Sequence, residues 1–226
     1  MRYGLTELPN DPAPAPLLTL DEAKLHLRVD HDAEDTLIEA QVLAAARMAE
    51  QYTRRAFVAR SFEMTLEAFP GSAWVGAYAA QDGEVWPPRF GSLTTADRFP
   101  AAIVLPLGPL LSVTSITYMS LDLDAEGQPT SKTITGYQAS NSSWPPRILP
   151  RYSECWPCVA AVPEAVRIEF VAGYGEPAAV PQDIKAGVKL ILGSLHEHRE
   201  DQVMGTVNEL PQGAKALLSP YRIFRL

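Results

Sequence analysis

Two cysteines spaced as C-x-x-C are the residues of this sequence most suited to chemical reaction. Cys155 and Cys158 flank Trp156-Pro157, and this spacing occurs in dithiol redox enzymes and in half-sites for zinc. A reactive pair normally lies at a helix N-terminus, where the helix dipole lowers the pKa of the thiol. Prolines surround these cysteines, and no helical pattern follows them. We therefore predict a packed loop, with dithiol redox chemistry as an alternative.

A second group of reactive side chains is His196-Glu197-His198, followed by Glu200 and Asp201. On a helix the two histidines point about 200° apart, so they cannot readily share a metal ion. His196 and Glu200 share a face, but a zinc site needs further ligands that the sequence does not show. The pattern predicts a solvated helix end, and we expect neither a metal nor another cofactor.

The tryptophans offer aromatic surfaces that could stack on sugars. They are Trp74, Trp86, Trp144 and Trp156. A single tryptophan beside proline more often anchors a loop, so a carbohydrate-binding module is an alternative. The chain has no G-x-S-x-G elbow, and Gly173-Tyr174-Gly175 lacks the spacing of a phosphate loop. These residues predict a protein that is not an enzyme and that acts in interaction or assembly.

The composition excludes several classes of protein. The 226 residues include 27 Asp+Glu and 19 Lys+Arg, giving a net charge of −8. A grip on nucleic acid needs Lys and Arg to displace counterions from phosphates, so the acidity argues against a DNA clamp. The hydrophobic fraction of 46% suffices for a buried core. No apolar run reaches the roughly 18 residues of a membrane helix, so we expect no membrane association.

Three segments have the periodicity of amphipathic helices. Thr19 to Glu22 forms a capping box that opens the first helix, and Asp32 is expected to cap the second. Pro181 suits the first turn of the third helix. We expect their apolar stripes to pack together: Leu20, Leu27, Ile38, Val42, Ala45, Ala49, Tyr52, Ile184, Val188, Ile191 and Leu195.

The chain between the second and third helices has the pattern of strands. Residues 61–68 alternate between polar and apolar, and prolines and glycines punctuate the sequence up to residue 180. The predicted fold class is α+β, a small core of three to four helices with a long β-rich insertion. We divide the chain into an extended Pro/Ala arm (1–17), the helical core (18–56 with 181–218), the insertion (57–180) and a C-terminal arm (219–226).

Several stretches, in this order, resemble the head–tail connector proteins of tailed bacteriophages, also called adaptor or head-completion proteins. The resemblance begins in Leu18–Asp30 (LTLDEAKLHLRVD) and Ala45–Thr53 (AARMAEQYT). It continues in Pro106–Tyr118 (PLGPLLSVTSITY) and Val166–Gly175 (VRIEFVAGYG), which are similar to the long, β-inserted branch of that family. Together the matching stretches span most of residues 18–226.

The resemblance implies a structural virion protein at the neck, assembled in the cytoplasm of the bacterial host. Such connectors form a ring, usually of twelve subunits, beneath the portal protein, and they extend the DNA channel used for ejection. They also present a platform for the stopper or tail-completion protein. Double-stranded DNA would pass through the lumen without sequence-specific binding. No catalytic residue or cofactor is implied, and another interaction module of a virion, carbohydrate-binding or not, is the alternative.

The C-terminal segment is basic and aromatic, and the sequence shows no evident anchor for it. We predict that it docks on the portal as an extended arm: Tyr221, Arg222, Ile223, Phe224, Arg225 and Leu226.

A second hypothesis concerns the acidic side chains of residues 30–39 and of the β loops. Facing the channel, they would repel DNA phosphates and keep DNA from adhering.

Overall fold

The computed structural model describes residues 3–9, 13–70, 101–141, 144–198 and 210–223. Within them the protein is α+β and forms two compact units, each described by itself below. The helical unit comprises residues 9–60, 107–111 and 172–226, and the β unit comprises residues 1–8, 61–106 and 112–171. Outside the described residues lie the stretch 71–100 and the predicted sites Trp74, Trp86, Glu200, Asp201, Phe224, Arg225 and Leu226.

The described part of the helical unit contains four α-helices. They are α1 (Leu20–Leu27), α2 (Asp35–Thr53), α3 (Gln182–Glu197) and α4 (Gln212–Leu218), with 3₁₀ turns at Pro177–Ala179 and Ser219–Tyr221. The predicted capping box opens α1, since Thr19 Oγ1 accepts from the Glu22 amide at 3.2 Å and the Thr19 amide donates to Glu22 Oε2 at 3.3 Å. The expected cap of α2 is wrong: Glu34 is its N-cap residue and makes no side-chain capping hydrogen bond.

The core of the helical unit lies where α3 packs against α1, α2 and α4. All eleven residues of the predicted stripes lie in this hydrophobic cluster or against it, with Leu20, Leu27, Tyr52 and Leu195 only partly buried. The cluster also contains residues that were not part of the predicted stripes: Leu17, Leu18, Phe57, Val180, Ala214 and Leu218. Gly187 makes room for α4, because a Cβ there would lie 3.0 Å from Leu218 Cγ.

The β unit is built around a five-stranded sheet in the order β1-β2-β8-β4-β5. Its strands are β1 (Tyr3–Glu7), β2 (Arg60–Leu66), β4 (Leu110–Leu123), β5 (Pro129–Thr133) and β8 (Val166–Ala172). Burial alternates along β2, as its alternating sequence predicts, so one face of the strand packs inward. A second, antiparallel sheet has the order β3-β7-β6, formed by β3 (Ile103–Val104), β6 (Tyr137–Ser140) and β7 (Arg147–Pro150).

The N-terminal residues differ from the extended arm predicted for 1–17. Tyr3–Glu7 forms β1 and pairs antiparallel with β2, in a register that places Tyr3 opposite Leu66 and Glu7 opposite Phe62. The first proline follows only at Pro9, so nothing in residues 3–7 prevents a hydrogen-bonded ladder. At the end of this segment, Leu17 and Leu18 are buried in the core of the helical unit.

The structure also draws the boundary between helical and β segments differently from the predicted range 57–180. Residues 57–60 and 172–180 belong to the helical unit, and so does the short stretch 107–111. Backbone hydrogen bonds join these stretches to one another. The Ala56 amide donates to the Gly108 carbonyl at 3.0 Å, and the Tyr174 amide donates to the Phe57 carbonyl at 2.9 Å. In the described part of the chain, no helix is both long and apolar enough to cross a membrane.

Candidate functional site

The last described residues of the chain are held by a buried arginine. Arg55 is only 8% exposed and lies two residues after Thr53, the last residue of α2. Its Nε donates to the carbonyl of Tyr221 at 2.5 Å, and its Nη1 donates to the hydroxyl of Tyr174 at 3.3 Å. Burial raises the pKa of the Tyr174 and Tyr221 hydroxyls, so both rings stay neutral beside the guanidinium.

Three further contacts fasten residues 221–223 to the helical unit. The Ile223 amide donates to the Thr53 carbonyl at 3.0 Å, and the Ile223 side chain is only 8% exposed. The Arg222 guanidinium lies 5.0 Å from the centre of the Tyr52 ring, a cation–π contact. The Tyr221 hydroxyl also donates to Asp183 Oδ2 at 3.2 Å.

The expected free arm is therefore wrong for its first half. Of the six residues proposed to dock, Tyr221, Arg222 and Ile223 are anchored on the protein's own core. Sequence reasoning missed Arg55 as the anchor, because an arginine just after a helix has no local signal of burial. The docking role of Phe224, Arg225 and Leu226 stays a prediction.

Glu50 organises the turn that follows α2. Its Oε1 accepts from the Phe57 amide at 2.8 Å and from Arg60 Nη2 at 2.5 Å, and its Oε2 lies 3.6 Å from Arg47 Nη1. Arg60 and Glu50 are both largely buried, with side chains only 6% and 13% exposed. This carboxylate fixes the backbone from which Arg55 reaches the C-terminal residues.

The acidic loop between α1 and α2 is organised by one lysine. Lys24 Nζ contacts Asp32 Oδ1 at 2.6 Å and Asp35 Oδ1 at 2.8 Å, and the Asp32 side chain remains 91% exposed. The hydrogen bond to Asp32 raises the pKa of Lys24, and the same bond holds the pKa of Asp32 below its usual range. Asp32 therefore pairs with Lys24 instead of capping the N-terminus of α2.

The candidate metal and redox residues do not form a reaction centre among the described residues. His196 Nδ1 lies 3.2 Å from Gln41 Oε1, and its Nε2 lies 3.8 Å from Glu34 Oε2, so the ring serves contacts between helices. Cys155 and Cys158 are exposed free thiols. In the described ranges no three His, Cys, Asp or Glu side chains are placed to hold a metal ion.

The tryptophan between the cysteines is a loop anchor. Trp156 is 5% exposed, stacks on Phe69 at 4.9 Å between ring centres, and donates from Nε1 to the Ala101 carbonyl at 2.6 Å. A buried ring cannot offer a face to a sugar. Trp144, at 44% exposed, is the one tryptophan in the described ranges with substantial exposure.

The family model of the phage gp6-like head-tail connector protein matches residues 17–81, which contain α1, α2 and β2. This match confirms the resemblance predicted from Leu18–Asp30 and Ala45–Thr53. No curated protein sequence matches the chain.

Solved structures similar to this chain come from gene transfer agent (GTA) particles. A chain in the neck of an empty GTA particle, computed with C6 symmetry, has a TM-score of 0.69 and 22% identity, covering 99% of this chain and 97% of that one. A chain in the virion of a native GTA particle has a TM-score of 0.66 and 25% identity, covering 98% and 96%. A chain in the neck of a native particle, computed with C12 symmetry, has a TM-score of 0.62 and 22% identity, covering 99% and 97%.

Proposed function

We propose that this protein is a structural component of the neck of a tailed, phage-like particle, where it acts as a head–tail connector. The observation that carries the proposal is agreement over the whole chain. The family model covers the first two helices, and chains from GTA virions and necks have the same fold over nearly their full length. Within the described residues no helix begins at Cys155 or Cys158, and Trp156 is buried, which supports a structural role rather than redox or sugar-binding chemistry.

The finer proposal is a ring of this chain, usually twelve copies, seated beneath the portal protein. Two solved neck structures similar to this chain were computed with C6 and C12 symmetry, which supports a rotationally symmetric arrangement. The ring would extend the DNA channel and present its far side to a stopper or tail-completion protein. Negative-stain imaging of the purified protein mixed with its portal tests this. We expect a coaxial ring on the portal, and discrete unbound particles would contradict the proposal.

We further propose that Phe224–Leu226 contacts the portal, while the preceding residues, Tyr221 to Ile223, stay anchored on the helical unit. Deleting residues 219–226 would be a poor test, because it also removes the anchored Tyr221 and the buried Ile223. Deleting only Phe224–Leu226 leaves those contacts in place. We expect portal binding to weaken at least about tenfold, the effect of losing roughly 1.4 kcal/mol, with unchanged thermal unfolding.

The matched control replaces Cys155 and Cys158 with serine, two exposed side chains in the β unit. This variant should bind the portal as the unmodified chain does, measured by co-sedimentation. If the deletion variant binds equally well, the docking role of the last three residues is refuted. If the serine variant loses binding as well, the effect of the deletion is not specific to the C-terminus.

We also propose that acidic side chains between α1 and α2 face the DNA channel, with Asp32 as the candidate because its carboxylate is 91% exposed. Repulsion between carboxylates and phosphates would let DNA slide without adhering. The test is a map of the assembled ring with the lumen-lining residues assigned. A lumen rich in lysine and arginine would refute this idea.

A further inference from the structure

Helix α2 has a second apolar face that the fold leaves uncovered. Its core stripe is buried, yet Leu37, Leu43 and Met48 are 40%, 62% and 38% exposed. At 3.6 residues per turn, the exposed residues Leu37, Ala40, Leu43, Ala44 and Met48 spread over an arc of about 140°, and the middle of this arc lies roughly opposite the core stripe. We call Leu37, Ala40, Leu43, Ala44 and Met48 the α2 outer face. Solvent-facing sides of helices are normally polar, so this face suggests a partner.

A second exposed apolar surface is formed by α3 and α4 together. Ala186, Leu190, Gly213 and Ala216 are exposed, and Leu217 is half-buried beside them. Leu190 touches α4 here, because a Cβ on Gly213 would lie 3.2 Å from Leu190 Cδ1. We call these five residues the α3–α4 outer face. Apart from its leucines it consists of very small side chains, so it is shallow enough to receive larger ones.

The two outer faces point away from each other. On α3, Ala186 and Leu190 lie roughly half a turn from the core residues Ile184 and Val188. Helices α2 and α3 pack against each other through their core stripes. The α2 outer face therefore looks outward on one side of this helix pair, and the α3–α4 outer face looks outward on the other.

A closed ring requires each subunit to contact its two neighbours through two different surfaces. We propose that the α2 outer face of one copy of this protein packs on the α3–α4 outer face of the next copy. The long side chains of Leu37, Leu43 and Met48 would insert among the small residues of the neighbour, as helix ridges fit into grooves. The inference rests on the proposed connector function, because that function requires a ring.

Charge on the two faces fits the same pairing. Arg47, with a side chain 45% exposed, lies within the arc of the α2 outer face, and the exposed Asp183 lies one turn before Ala186 on α3. Opposite charges across a contact favour the correct partner and register.

The test uses the full chain with Cys155 and Cys158 replaced by serine. One batch has Leu43→Cys, another has Ala186→Cys, and a short flexible bismaleimide links the thiols. We expect the mixture to give at least about ten times more linked dimer than either batch alone, because only the mixture brings the two faces together. A mixture of Leu25→Cys with Ala186→Cys is the control, since Leu25 is 82% exposed and lies outside both faces. Equal yields in all mixtures, or no dimer, would overturn the proposal.

A second measurement separates this inference from the connector function. Leu43→Glu and Ala186→Glu each place a charge on one outer face, and Leu25→Glu is the matched control. In portal mixtures we expect rings with the control and none with the two face variants. Rings formed by the face variants would overturn the proposed interface while the connector function stood. Selective linking of residues 43 and 186, without any ring on the portal, would instead refute the connector function and keep the interface.

Discussion

At the residue scale, single polar side chains decide where the chain is held. Arg55 shows this most clearly, because its guanidinium is removed from water and donates to both Tyr221 and Tyr174. Glu50 has the corresponding role for the turn after α2, accepting from the Phe57 amide and from Arg60. A buried charge whose partner is lost is strongly destabilising, so these two residues should be among the least tolerant of substitution.

Replacing Arg55 with methionine removes the hydrogen bonds to Tyr221 and Tyr174 while keeping a long side chain. Because a hydrogen bond to a charged group contributes about 1.5–3 kcal/mol, we expect the free energy of unfolding to fall by at least about 2 kcal/mol in urea denaturation. Amide exchange should also accelerate at Ile223. The control is Arg54→Met, since Arg54 is the exposed neighbour of Arg55. Equal losses in both variants would show that Arg55 is not an anchor.

The Lys24–Asp32 pair gives a pH dependence with a definite sign. The pKa of Asp32 is held below its usual 3.8 by the hydrogen bond from Lys24, so the folded state favours the ionised carboxylate. The resulting stabilisation is fully present above that usual value and is lost as pH falls through the lowered pKa of Asp32.

Carboxyl chemical shifts measured by NMR should therefore show Asp32 titrating below the range of an unperturbed aspartate. In Lys24→Met the pKa of Asp32 should return toward its ordinary value. An unchanged titration in that variant would contradict the pairing.

At the scale of elements, helix ends and strand ends depend on close backbone contact. β8 ends at Ala172, and Gly173 follows with φ of +139°. A Cβ on Gly173 would lie 2.6 Å from the backbone of Val58 and Ala59, and its amide donates to the Pro109 carbonyl at 2.9 Å. The chain passes so closely here that only glycine fits.

Gly173→Ala should therefore lower the free energy of unfolding by about 3 kcal/mol or more, combining backbone strain with a clash that cannot relax by side-chain rotation. Gly127→Ala is the control, because Gly127 also has positive φ (+78°) but a Cβ added there would meet nothing within 4 Å. That change should cost only about 1 kcal/mol. Urea denaturation of both variants measures the difference, and similar values would show that crowding at Gly173 has no effect.

At the scale of the whole molecule, the relevant features are the net charge and the exposed surfaces. The net charge of −8 and the exposed carboxylates suit the proposed channel, through which DNA would pass without adhering. The exposed apolar faces of α2 and of α3–α4 suit contact between copies.

The acidity leads to a direct prediction about DNA. The purified chain should bind duplex DNA with a dissociation constant weaker than about 10⁻⁴ M at physiological salt, the weak limit of ordinary non-specific binding. An electrophoretic mobility assay over a salt series measures this. Micromolar binding that weakens steeply with salt would reveal a basic surface on the protein and contradict the proposed repulsive channel.

The sequence by itself determined the elements whose signals are local. The capping box at Thr19, the stripe from Ile38 to Ala49 and the alternation along β2 each depend on residues within a few positions, so spacing alone identified them. The connector resemblance also rested on such stretches. The eleven predicted core positions lie in or against the observed cluster for the same reason.

Only the tertiary structure decided which distant residues meet. Folding brings together partners that are far apart in the sequence. Tyr3–Glu7 pairs with β2, Arg55 donates to the Tyr221 carbonyl, and Asp32 accepts from Lys24 instead of capping α2. The same is true of the two outer faces, because the spacing of apolar residues identified the core stripes but not which other apolar residues stay exposed. Local periodicity identifies the core side of a helix, whereas long-range packing decides how much of its remaining surface the rest of the protein covers.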